Sequence, residues 1–319
     1  MKYFVFSIKI LTLAIIISFV FPMLNTKYQI LNTSFAQAQS VDLGIYPPVF
    51  QIQSNPPSDI KIPFSIQNFT DSDVPLAISL RPFTADSSEN GNIAFIDTAS
   101  YADPYLPERI QVLDGDNSIG DITLSPQQKK DLTLEIQIPN NEPKGDYYLS
   151  LVFTSNADTI NNRTSSQATI GIASNILLSV GPFSKPQGKI EEFSTPFFVS
   201  KGPIPFTLRV KNSSDHFVTS KGNIVINNMF GQTIGKINLL SVNILSNTIR
   251  RIPEAIWPEK FLVGPYTATL TLALSDNGPL FTKEIVFFAF PLEYLVAILL
   301  IICLIIFIAI RINKSRKRL

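Results

Sequence analysis

Apolar and polar residues alternate along most of this chain with a period of two, which is the period of a strand buried on one face. Ile60-Lys61-Ile62-Pro63-Phe64-Ser65-Ile66-Gln67, Asp131 to Ile138 and Tyr266 to Leu272 all follow it. Pro and Gly interrupt at short intervals, as at Pro47-Pro48, Pro56-Pro57, Pro139, Pro143, Gly145 and Gly264-Pro265. Before residue 290, outside an N-terminal apolar stretch, no segment sustains a helical apolar stripe over three turns. The pattern predicts antiparallel β-sandwiches.

Two parts of the chain share one plan. Ile62-Pro63-Phe64-Ser65-Ile66 is echoed by Ile204-Pro205-Phe206-Thr207-Leu208, and each is followed by a polar turn that begins with Asn, at Asn68 and Asn212. Later, Gly145-Asp146-Tyr147 and Gly264-Pro265-Tyr266 each open a last alternating strand. The fold class expected is all-β: two tandem immunoglobulin-like β-sandwiches, over 41–181 and 186–290, plus one C-terminal transmembrane helix. The first copy carries an insertion, 85–121, rich in Asp, Ser, Asn and Gly, and such insertions often hold binding surfaces. A joint rich in Pro and Gly, 181–188, separates the copies and is too short for free tumbling.

The apolar run Tyr294–Ile310 is followed at once by Arg311, Lys314, Arg316, Lys317 and Arg318. Extended back to Leu292, it is long enough for the roughly 30 Å apolar core of a bilayer. Cations flanking a span resist translocation, so 292–310 reads as a membrane helix, 311–319 as a cytoplasmic tail and the bulk of the chain as exterior. Lys2 and Lys9 precede another apolar stretch, Ile10 to Leu24, and Ala36-Gln37-Ala38 suits a signal peptidase. Residues 1–38 therefore read as a signal peptide, with an uncleaved signal anchor as the alternative. The expected localisation is the cell membrane, single-pass, with the ectodomain outside.

Charge is uneven along the exterior. From Val41 to Gly181 there are 7 Lys and Arg against 17 Asp and Glu, and from Pro182 to Phe290 there are 11 against 7. The acidic half speaks against nucleic acid, while the mildly basic half suits anionic headgroups or wall polymers, or is ordinary solvated surface. Asn68-Phe69-Thr70, Asn162-Arg163-Thr164 and Asn212-Ser213-Ser214 match the glycosylation triplet and are read as incidental.

Little in the chain points to catalysis. Asp97-Thr98-Ala99-Ser100 lacks the glycine and the second copy of an aspartic protease, and reads as a polar turn. Asp114, Asp116 and Asp121 are spaced like a calcium loop, but Ser125 stands where a bidentate Glu is needed, so calcium and a solvated Asp-Gly turn both remain open. His216 is the only histidine and is expected at the surface of a turn. Trp257 is either a sugar-stacking platform or, by the stronger reading, a core anchor. No catalytic, cofactor-binding or metal-binding residue is assigned, and no cofactor is expected.

Ile45-Tyr46-Pro47-Pro48-Val49-Phe50, the Phe64 to Asn68 strand, Leu124-Ser125-Pro126, Ile138-Pro139 and Gly145-Asp146-Tyr147-Tyr148 occur in that order. In these motifs the chain resembles the WxL-interacting cell-surface proteins of Gram-positive bacteria, strongly from Leu43 to about Gly181 and weakly thereafter. It departs where the family usually has Pro-Gly before the Phe64 strand, with Asn55-Pro56-Pro57-Ser58 there instead. The resemblance implies a first domain associated with peptidoglycan, a second associated with WxL-type or host partners, an envelope-binding role, and no transferable ligand-contacting residue. The function expected is non-catalytic binding of cell-wall polymer or surface proteins. A membrane-tethered wall-polysaccharide hydrolase and a structural stalk or accessory subunit of a membrane complex are the alternatives.

Cys303 is the only cysteine and lies in the apolar run, so no disulfide can staple the exterior. A soluble 41–290 fragment is predicted to give a β-rich circular-dichroism spectrum and to melt at the same temperature with and without dithiothreitol. A helical spectrum, or loss of structure on reduction, would overturn the reading.

Overall fold

The computed structural model describes residues 42–96, 106–156, 169–253, 255–276 and 278–316. The expected signal segment, Asp97-Thr98-Ala99-Ser100 and Asn162-Arg163-Thr164 lie outside them.

The first sandwich opens with β1 (Leu43–Tyr46), β2 (Val49–Ser54), β3 (Ser58–Asn68), β4 (Val74–Ala85) and β5 (Ile93–Phe95). A 3-10 turn, Leu106–Arg109, leads to β6 (Ile110–Asp114), β7 (Asn117–Ile119) and β8 (Asp121–Leu124). It closes with β9 (Lys129–Ile138), β10 (Gly145–Asn156) and β11 (Thr169–Val180). One sheet has the order β1-β3-β9-β6-β7 and the other β2-β11-β10-β4-β5, with β8 on β4. Alternate side chains of both sheets meet in one core around Phe64, Leu134, Leu149, Leu151, Phe153 and Ile176.

The second sandwich starts with β12 (Gly188–Ser194), β13 (Phe198–Val199), β14 (Ile204–Pro205), β15 (Thr207–Asn212) and β16 (Val218–Asn228). Next come β17 (Thr233–Asn238), β18 (Val242–Ile244), β19 (Ile249–Arg251), β20 (Ile256–Trp257), β21 (Gly264–Ala273) and β22 (Leu280–Ala289). Its sheets are β12-β15-β19, β13-β22-β21-β16-β17 with β18 on β16, and the pair β14-β20. Helix α1 (Leu292–Arg316) follows. Within it, 292–310 is long and apolar enough to cross a membrane.

The repeated plan is visible in the topology. In each sandwich the opening segment serves both sheets: β1 pairs antiparallel with β3 and β2 parallel with β11, just as β12 pairs with β15 and β13 parallel with β22. Both switches occur at proline, Pro47-Pro48 and Pro196, which cannot donate to a ladder and so ends one pairing before the next begins.

The two asparagines after the Ile-Pro-Phe strands are the centre of the shared plan. The side chain of Asn68 is fully buried, and its Nδ2 donates to the carbonyls of Ser72 (2.8 Å), Ser125 (3.0 Å) and Leu124 (3.2 Å). Its Oδ1 accepts from the Thr70 amide and hydroxyl. Asn212 repeats the arrangement with the carbonyls of His216, Ile244 and Leu245 and the Ser214 amide. Each amide ties a turn to the end of a strand in the opposite sheet, β8 or β18. These two triplets are buried turn locks, with no side-chain nitrogen left at the surface for a glycan.

The Gly-x-Tyr turns form the second shared device. Gly145 and Gly264 sit at positive φ, 153° and 108°, where a side chain would be strained. Two residues on, the Tyr147 hydroxyl donates to the Pro143 carbonyl at 2.9 Å, and Tyr266 exchanges hydrogen bonds with Val263. Both pin the arriving loop against the strand that follows, as the tyrosine corner of immunoglobulin-like sandwiches does.

Replacing Asn68 by Ala would leave buried carbonyls without their donor. Asn68→Ala is therefore expected to cost about 2–3 kcal/mol in urea unfolding. A loss under about 0.5 kcal/mol, the scale of a surface substitution, would refute the lock.

Candidate functional site

Two features stand out as places where the chain could meet another molecule or hold its own parts in fixed relation. They are the seam between the sandwiches and a recess on the first sandwich beside it.

The seam begins with the β4–β5 hairpin. Asp86 caps it, accepting from the Ser88 amide and hydroxyl, and Glu89 takes a left-handed conformation, φ 59°. A non-glycine residue there costs about 1–2 kcal/mol. Partners in the second sandwich offset the strain: Arg209 grips the Glu89 carboxylate through two hydrogen bonds of 2.6 Å, and the Arg251 amide donates to the Glu89 carbonyl at 2.7 Å. Gly91 lies against the half-buried Arg250 guanidinium, and any Cβ there would come within 2.2 Å of it. Burial pulls the Arg250 pKa down from its ordinary value.

Beside this hairpin, Phe83 and Leu177 of the first sandwich bury Phe217 of the second, with Tyr148 and Leu245 around them. Asp146 lies under the contact. Its carboxylate accepts from Ser179 and Tyr148 of its own sandwich and from the Phe217 amide across the seam at 2.5 Å. Burial pushes its pKa up, and these hydrogen bonds partly oppose the rise. Lys144 completes the seam with an ion pair to Asp215 at 2.7 Å. A cleft of ≈ 490 Å³ runs alongside, lined by Gln51, Gln53, His216 and Thr219, and its Lys221 and Asp276 pair with each other.

The recess, ≈ 660 Å³ and open to solvent, is formed by Pro57, Ser58, Asp59, Arg109, Gln137, Ile138 and Pro139. It offers a guanidinium, a carboxylate, an amide and a hydroxyl over an apolar floor. That mixture suits a ligand carrying hydroxyl, amide and carboxylate groups on a compact frame. Arg109 is held by the buried Glu142 at 2.6 Å. The same β9–β10 connection therefore supplies Pro139 to the recess, Glu142 to its arginine and Lys144 to the seam.

Residues 47–155, which contain every residue of the recess, match the family described as WxL Interacting Protein, peptidoglycan binding domain. Over these residues the first sandwich is similar to that domain. No curated protein matches the chain in sequence. Among solved structures, the Pseudomonas aeruginosa CupB2 chaperone has 8% identity and a TM-score of 0.35, over 76% of this chain and 98% of that one. The class 5 fimbriae chaperone CfaA has 12% identity and a TM-score of 0.38, over 78% and 100%. Domain 7, PapD-like, of human CEP192 has 12% identity and a TM-score of 0.29, over 44% and 87%.

Within the first sandwich the three aspartates of the calcium-like spacing are separated by the fold. Gly115 and Asp116 form the two-residue turn of the β6–β7 hairpin, with glycine at positive φ as such turns favour. Asp114 pairs with Lys130 at 2.7 Å, while Asp121 has crossed to the other sheet opposite Ala77. Among the described residues no three His, Cys, Asp or Glu side chains converge as a metal site would require. The described parts of the 85–121 insertion, 85–96 and 106–121, are not free excursions. They contribute β5, β6 and β7 to the sheets, and their Glu89 hairpin turns toward the second sandwich.

His216 is a correction to the surface position expected for it. Its ring is buried, edge-on to Phe183 of the joint at 5.9 Å, with Nδ1 2.9 Å from Asp215. The joint residues cover it, which its position in a polar turn did not disclose. Trp257 is buried in the second core against Tyr266 and Phe287, which closes the sugar-platform reading. Glu89 was missed altogether; its only sequence signal is a Ser-Ser-Glu-Asn-Gly hairpin facing no recognisable partner.

The seam carries a pH signature. Hydrogen bonds from Arg209 hold the Glu89 carboxyl below its ordinary value, and those from Lys144 and His216 hold Asp215 well below. A depressed folded-state pKa contributes stability present above the unfolded value near 4 and lost as pH falls through the folded value. Asp146, pushed up, has the opposite sign: its contribution is complete below its unfolded value and declines as pH rises through the folded one. Glu89→Gln is thus expected to melt below the wild type at pH 7 by scanning calorimetry, with the gap narrowing from pH 4 downward. An equal gap at pH 7 and pH 2.5 would remove Glu89 from the seam's electrostatics.

Proposed function

We propose that this protein is a membrane-anchored envelope protein that binds cell-wall polymer non-catalytically through its first sandwich. The observation that carries the reading is the match of residues 47–155 to a peptidoglycan-binding domain family. In this reading the domains are 41–181 and 186–290, the latter available to envelope protein partners. The helix spans the cell membrane once over 292–310, the ectodomain is outside, and the tail 311–319 is cytoplasmic. Support for the anchor comes from a helix whose apolar side chains face outward along its length and from the cations that follow it in sequence. Residues 1–38 serve as the signal peptide that delivers the chain.

The recess beside the seam is the proposed ligand site. Its polar groups would recognise hydroxyls and amides of glycan or stem peptide, and its prolines and Ile138 would pack against their apolar edges. Because Lys144 lies in the connection that borders it, the recess is held in register with the second sandwich.

The test is co-sedimentation of the detergent-solubilised full chain with insoluble Gram-positive cell wall, both intact and stripped of its anionic secondary polymers. Binding to both is expected, with Asp59→Ala/Gln137→Ala weakening it about tenfold, the effect of two lost hydrogen bonds. Failure of the wild type to sediment with either wall would sink the function. Retention with intact wall alone would make the anionic polymer the ligand. Undiminished binding by the double variant would move the site away from the recess.

A further inference from the structure

The seam meets one end of the second sandwich, and α1 leaves from the other. At that other end, three segments far apart in sequence place apolar side chains in solvent. They are Phe197 and Phe198 at β13, Met229 and Phe230 in the β16–β17 turn, and Phe261 and Val263 ahead of β21; Phe230 is 76% exposed and Phe261 62%.

Strand register brings them together. Gly264 pairs with Ala289, the last residue of β22, and Tyr266 pairs with Asn228, the last of β16. Phe198 lies opposite Phe288 with its ring stacked on it at 6.0 Å. All three segments therefore ring the root of the helix. The core beneath them is already closed by Trp257, Tyr266 and Phe287, and none of these exposed side chains belongs to it among the described residues. Phe287 itself is fully buried, because alternation turns it inward and Phe288 outward.

One contact identifies what covers the collar. The Phe261 ring meets Tyr294 edge-on at 5.9 Å, and Tyr294 lies in the first turn of the apolar helix. Phe261 thus stands level with the start of the span, and whatever solvates that turn also solvates Phe261. Exposed Lys260 and Lys201 border the collar, their loops joined by the Gly202 amide donating to the Lys260 carbonyl. Aromatic rings at the headgroup level with cations beside them are the composition of a bilayer interface.

We infer that these three segments form an aromatic collar that inserts into the outer leaflet around the helix, so that the second sandwich is seated in the interface rather than tethered above it. The inference rests on the reading of 292–310 as a membrane span.

Site-directed spin labelling of the full chain, one copy per nanodisc of mixed phosphatidylcholine and phosphatidylglycerol, tests it. A nitroxide on the native Cys303 reports the span. In a Cys303→Ser background, Phe230→Cys and Phe261→Cys report the collar, and Leu280→Cys reports the far end of β22, about 30 Å away. The ratio of oxygen to nickel-chelate accessibility is expected to be several-fold higher at 230 and 261 than at 280. Water-like ratios at 230 and 261 with a lipid-like Cys303 would overturn the collar and leave the anchor standing. A water-like Cys303 would overturn both. Water-like collar labels that show dipolar broadening when several copies share a disc would assign the surface to self-association and overturn the lipid assignment.

Discussion

Each sandwich is closed by one buried side-chain amide. A chain whose single cysteine, Cys303, lies in the apolar helix must hold two sheets together by packing and hydrogen bonds alone. Packing sets the sheets face to face but does little to choose how the polar turns at their ends lie. Asn68 and Asn212 make that choice, because a single primary amide donates to several carbonyls and accepts from a nearby amide within a few ångströms. Once buried, such a network has no cheap alternative arrangement, since every unmade bond leaves a dry polar atom. The tyrosine corners at Tyr147 and Tyr266 act in the same way where the last strands begin.

Rigidity of the pair follows from a second set of contacts. The Glu89 hairpin adopts a backbone that its residue type disfavours, and the cost is offset only when Arg209 and the Arg251 amide are present. The hairpin's conformation is thereby coupled to the docking of the sandwiches. Phe217 and Asp146 add an apolar plug and a buried acceptor at the same junction. With the helix leaving from the opposite end of the second sandwich, the molecule has a built-in axis from the helix root to the seam. A recess bordered by the β9–β10 connection inherits that orientation.

Residues within one element have opposite tasks. In β22, Phe287 fills the core and Phe288 faces out to stack on Phe198. In the β9–β10 connection, Glu142 serves the recess and Lys144 the seam. Neighbours in sequence thus act at different surfaces, as expected where the chain alternates faces or turns sharply.

What the sequence determined by itself was everything that depends on local pattern. The period of two and the Pro and Gly punctuation specified strands, the uncharged run before Arg311 specified the helix, and the repeats Ile-Pro-Phe and Gly-x-Tyr announced one plan used twice. The motifs of the first sandwich pointed to the family whose domain matches residues 47–155. Tertiary structure alone decided which polar residues are buried, because alternation shows that neighbours face opposite ways without showing which side becomes covered. Asn68, Asn212 and His216 looked like turn surface until other segments closed over them. Glu89 and Arg209 lie 120 positions apart and meet only because the two sandwiches come together. The aromatic collar likewise unites three segments that no local window contains, since strand register, set by the whole sheet, is what carries their side chains to one end.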